Sequence, residues 1–154
     1  MNEDEKLVND TSKELYRRVG DDSIFSLPWV PRVVLMVVLA QGDTDNGGFG
    51  CFFEADYTDV PPYSDFADAF RAIGADVTAN LIETAVALFP FPQPHLNGDA
   101  RRDYLRTHCI LPDGRTNGSA ELLKLGDRAI DEGKRNYALL ARYIRDHLDE
   151  IRGA

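Results

Sequence analysis

The sequence predicts an all-α, single-domain bundle of about six to eight short helices around a buried central helix. Apolar residues recur at helical spacing in most segments of the 154-residue chain. The one segment rich in β-branched residues has no second strand-like run to pair with. The turn-rich stretches 20–28, 42–48, 57–64, 90–98 and 112–119 separate elements without being long enough to divide the chain. The organisation read from this is an N-terminal helical segment, 1–23, packed on a main helical domain, 24–152, as one structural domain overall.

Val8, Leu15 and Val19 place a first helix that runs up to Gly20. Val33 to Ala40 would suit a buried strand by propensity, but Pro31 is placed as a first helical residue and Gly42 as a terminator, so a buried central helix is expected. Phe49, Phe52 and Phe53 follow at i, i+3 and i+4, one face of a helix that begins near Gly48. Phe66, Phe70 and Ile73 give a stripe that stops at Gly74, and Val77, Leu81, Ala85, Leu88 and Phe89 one that stops at Pro90. Pro90, Pro92 and Pro94 read as a stiff connector. A short helix is expected from about Asp99 to Thr107, with Tyr104 and Leu105 inward. Leu122, Leu125, Ala129 and Ile130 form the next stripe, entered through Asn117, Gly118 and Ser119, with Gly126 a weak point inside it. Leu140, Ile144, Leu148 and Ile151 predict a last amphipathic helix from about Tyr137 to Ile151.

Charge is distributed unevenly. The formal net charge is −9, from 17 Lys and Arg against 26 Asp and Glu. Residues 1–83 carry 16 acids and 6 bases, whereas residues 84–154 carry 10 and 11. Between Val33 and Phe70 lie Asp43, Asp45, Glu54, Asp56, Asp59, Asp65 and Asp68 and no Lys or Arg, so any neutralisation must come from tertiary contacts or a partner. The cluster Arg101, Arg102 and Arg106 is the internal source at hand. Such a balance opposes direct nucleic-acid binding, because phosphates would be repelled. Val33 to Ala40 is too short to cross a bilayer, and the acidic start Met1 to Glu5 has no signal-peptide pattern. Cys51 and Cys109 make no disulfide framework, so a reduced, cytoplasmic setting is expected.

Few residues are arranged for chemistry. Asp43, Asp45, Gly48 and Glu54 match positions one, three, six and twelve of a calcium loop, but Gly47 leaves position five without an oxygen ligand. The stronger reading makes Asn46, Gly47 and Gly48 a tight reversal and Phe49, Phe52 and Phe53 an aromatic plug, with Cys51 a buried inert thiol beside it. His95, His108 and His147 bring no two ligands onto one helix face, and no nucleophile elbow, Walker loop or dinucleotide fingerprint occurs. No enzyme, no cofactor and no metal are expected.

The order of an apolar helix, Asn46-Gly47-Gly48-Phe49 with Phe52-Phe53, the Ala72-Ile73-Gly74-Ala75 turn and the Leu88-Phe89-Pro90 stop resembles the bacterial DNA-mimic protein family of the DMP type, over about residues 24–150. Cys51 stands where that family commonly has Gln, and Asp45-Asn46 where it has Asn-Asn. The resemblance implies an all-helical domain and, in the member that names the family, an acidic dimer that binds a transcriptional regulator and competes with DNA. It brings no catalytic residues. The expected function is therefore a non-enzymatic acidic binding protein, a DNA mimic that occupies the basic surface of a DNA-binding regulator through the seven acids. A homodimer would double them. The alternatives are an immunity or antitoxin-like module that caps a basic toxin, and a calcium-binding loop over 43–54.

Overall fold

The computed structural model describes residues 1–153. Its eight α-helices are α1 (Glu3–Val19), α2 (Trp29–Glu54), α3 (Tyr63–Ala72), α4 (Asp76–Val86), α5 (Gly98–Cys109), α6 (Glu121–Asp131), α7 (Gly133–Asp146) and α8 (Leu148–Arg152), with single 3-10 turns at Ile24–Ser26 and Pro94–Leu96. The bundle is all-α, as the periodicity predicts.

The central helix is α2, which touches α1, α3, α5, α6, α7 and α8. Val33 to Val37 are all buried, so β-branched side chains are tolerated in a helix where burial on every side outweighs their small propensity cost. The helix starts two residues before Pro31, whose missing N–H costs nothing there because first-turn donors have no intrahelical acceptor. Gly42 does not terminate it. The glycine is exposed and costs about 1 kcal/mol in helix propensity, and the burial of Ala40, Gln41 and Thr44 on the opposite face carries the helix onward to Asn46. The break falls at Gly47 and Gly48, and at Gly48 φ is +65° with ψ −157°, a conformation essentially closed to side chains. Beyond this kink the helix resumes and points Phe49, Phe52 and Phe53 into the core, each at most 1% exposed. These rings meet edge-on with one another and with Tyr63, Phe66 and Phe89.

Gly126 is no weak point. A Cβ there would lie 2.5 Å from the Phe49 backbone nitrogen, so the glycine is what lets α6 close on the kink. Two stripe residues face outward, Val77 on α4 and Ile130 on α6. Helix α4 is buried through Thr78, Ala79, Leu81, Ile82 and Ala85, because it lies between α3 and α6, and it ends at Val86, before Leu88 and Phe89.

The last predicted helix is two. It begins at Gly133, earlier than Tyr137, and breaks at His147, where Nδ1 lies 2.8 Å from the Tyr143 carbonyl oxygen while the His147 N–H bonds Ile144 instead. The imidazole thus takes the acceptor that a continuing α-helix would use. At the other end α1 opens with a capping box, Asn2 and Glu5, and packs on α7 and α2. No helix among the described residues is long and apolar enough to cross a membrane.

Candidate functional site

The seven acids of the base-free stretch fall into two groups. Asp43, Asp45 and Asp56 are bound from within the protein. Glu54, Asp59, Asp65 and Asp68 make no side-chain hydrogen bond or ion pair among the described residues.

Asp43 is half-buried on α2 and accepts a 2.7 Å bond from the Tyr57 hydroxyl. Burial foremost, with that bond, pushes the Tyr57 phenol far above its usual value, and Tyr16 is raised by its burial and by the Asp43 charge. Asp45, two residues on, is exposed and turns to other partners. Its Oδ1 accepts from Gln41 Nε2 at 2.7 Å and its Oδ2 from the Tyr137 hydroxyl at 3.4 Å. Burial, then the Asp45 charge, lifts Tyr137 to about 12. Gln41 is 1% exposed and its Oε1 accepts from Asn136 Nδ2, which also donates to Thr78 Oγ1, both at 2.8 Å. This polar chain joins α2, α4 and α7. It also fixes Gly133, where a Cβ would stand 3.1 Å from both Asp45 Oδ1 and Gln41 Nε2. The first residue of α7 is therefore packed on the Asp45 carboxylate, the charge a helix N-terminus favours.

Asp56 is the acid that the second half of the chain neutralises. Arg101, 1% exposed, binds its Oδ1, and Arg102 Nη1 binds its Oδ2 at 2.9 Å. Hydrogen bonding to Arg102, then to Arg101, holds the Asp56 carboxyl below the ordinary carboxylate range. Arg101 also donates to the carbonyls of Phe53, at 2.9 Å, Pro94 and Ala55, so one guanidinium closes the C-terminal end of α2 against α5. Residue-type rules place an arginine outside. Its register was the available signal, because Arg101 stands at i relative to Leu105 and Cys109, the buried stripe of α5.

The remaining acids, termed the acidic rim below, follow one another along the chain from the end of α2 through the loop to α3. Glu54 is exposed at the end of α2. Asp59 sits in the loop to α3 at φ +64°, next to Val60 at +46°. Asp65 and Asp68 lie on α3, half-buried and exposed respectively. From Val33 to Ala100 the single Lys or Arg is Arg71, which is held by Glu83 and Asn80.

Residues 43–54 do not form a calcium loop. Asp43 to Asn46 are helical, Asp43 and Asp45 turn their carboxylates to different partners, and helix resumes at once after the kink. Among the described residues no three His, Cys, Asp or Glu side chains converge on a metal position. Cys51 is also displaced from its expected place. It is half-buried and lines a surface groove on the side of α2 away from the aromatic plug, while Cys109 is the buried thiol, raised by that burial.

No curated protein and no solved structure matches this chain. A sequence model of the family described as DMP19-like protein matches it over residues 26–147.

Proposed function

Because the chain belongs to the DMP19-like protein family, we propose that it is a binding protein, not an enzyme, whose acidic rim occupies the basic surface of a DNA-binding transcriptional regulator. The observation that carries this reading is the rim itself. Glu54, Asp59, Asp65 and Asp68 carry four charges with no internal ion pair among the described residues, and Arg71, the one Lys or Arg of sequence 33–100, is already held by Glu83. Duplex DNA presents about one charge per 1.7 Å of axis and is bound largely through Lys and Arg with counterion release. A basic groove built for that density is attracted by unpaired carboxylates on a rigid helix and loop. In a twofold homodimer the rim would be doubled. Asp43, Asp45 and Asp56 contribute field but are held by their internal partners.

The test is capture from a cell lysate on the immobilised protein with elution by salt. A helix-turn-helix regulator, released steeply as salt rises and displaced by its own operator DNA, is the expected result. The triple variant Asp59→Asn, Asp65→Asn, Asp68→Asn should lower both the affinity and the salt slope. Salt-insensitive capture would sink the reading, and recovery of a nuclease toxin would favour the immunity-protein alternative.

A further inference from the structure

A groove of about 600 Å³ runs between the post-kink half of α2 and α5, within the size range of small-molecule sites. Along α2 its wall is Gly47, Gly50, Cys51 and Glu54, and along α5 it is Arg102, Leu105, Arg106 and Cys109. Leu123 of α6 and Ile110, 41% exposed, close its apolar far side.

Gly50 is the informative residue. Gly48 is required by its backbone and Gly126 by the approach of Phe49, but a Cβ on Gly50 would make ordinary 3.5 Å contact with Leu123 Cδ2. Gly50 is the second residue of the resumed helix, and neither φ nor crowding demands a glycine there. What Gly50 preserves is the open space beside it. Local rules broken without structural compensation mark functional positions. The charges at the walls state what fits. Arg106 is 74% exposed in its side chain and among the described residues is paired only with Asp103 one turn away, a surface pair of little strength, so its guanidinium is available to an anion at the mouth. Arg102 stands one turn before it and is held by Asp56 and Asp99, and the exposed Glu54 also lines the groove.

We propose that this groove binds an amphipathic monocarboxylate, with the hydrocarbon on Leu105, Leu123, Cys51 and Ile110 and the carboxylate on Arg106. The groove shares Glu54 with the acidic rim but none of Asp59, Asp65 and Asp68. The partly exposed Cys51 thiol reports on it directly.

The experiment follows alkylation of Cys51 by monobromobimane, read by peptide mass, with dodecanoate below its micelle concentration. Dodecanoate should slow alkylation about tenfold, the factor that 1.4 kcal/mol represents, and dodecyltrimethylammonium should not. Gly50→Leu should abolish the protection by filling the groove, with unchanged circular dichroism showing that the bundle is intact. Arg106→Gln, a surface change, should weaken dodecanoate binding about tenfold. Unprotected Cys51, equal protection by the cationic amphiphile, or full protection in folded Gly50→Leu or Arg106→Gln would each overturn the proposal.

Discussion

Asp56 and Asp65 belong to the same base-free stretch, yet one is clamped by two arginines and the other meets no partner inside the described chain. The contrast extends to their regions. Around the kink of α2 three acids are tied to internal partners: Asp43 with Tyr57, Asp45 with Gln41 and α7, Asp56 with α5. Along α3 and the loop before it, the acids decorate a surface whose core-facing residues are Phe66, Ala67 and Phe70. Equal charge at equal density thus serves two purposes, and only the second leaves carboxylates free for another molecule.

The largest expected effect falls in the first region. Arg101→Ala removes a buried guanidinium and leaves the carbonyls of Phe53 and Pro94 without their donor, so urea denaturation should show a loss of about 3 kcal/mol. A loss below about 1 kcal/mol would place the closure of α2 on α5 elsewhere. Gly126→Ala drives a methyl group into Phe49 and should cost about 1 to 3 kcal/mol by the same measurement, reversing the gain that alanine normally brings to a helix.

Alkali probes the same region without mutation. Burial raises Tyr63, and burial with Asp45 raises Tyr137, each to about 12. The fold favours the neutral phenols, so their stabilising contribution is complete below the unfolded pKa near 10 and is lost as pH rises from there through about 12. The urea midpoint should fall over that window, and Tyr137→Phe should flatten part of the fall. Tyr57→Phe removes one bond to Asp43 and should cost about 1 kcal/mol. The smallest change belongs to the rim. Asp59→Asn, Asp65→Asn and Asp68→Asn should each shift stability by less than about 0.5 kcal/mol. A large loss from any of the three would erase the distinction between the regions.

The helical architecture was legible because its signal is periodic and local. Leu15, Phe70 and Ile144 each lie in a stripe that the chain repeats every three or four residues, and each is buried. What sequence hid was set by neighbours from elsewhere in the chain. Gly42 and Gly126 look alike as glycines within helical patterns, but one faces solvent and the other faces Phe49. Arg101 is charged by type and buried by register, and only the fold brings Asp56 to it. His147 ends a helix through a side-chain bond that no spacing rule describes. For the site, the count of unneutralised acids was readable in advance, but their division into bound and free was not, because hydroxyl and amide partners such as Tyr57 and Gln41 leave no trace in a charge tally.

The two segments outside the family match, α1 and the short α8, lie against each other. Arg18 donates to the carbonyls of Ile151 and Arg152, Asp4 pairs with Arg145 at the end of α7, and Leu15 and Ile151 are both buried. Head and tail of the described chain are therefore one clasp, although they are separated by more than 130 residues of sequence. A clasp of this kind lets go as a unit, so fraying that begins at either end is transmitted to the other before it reaches the kinked helix that both of them cover.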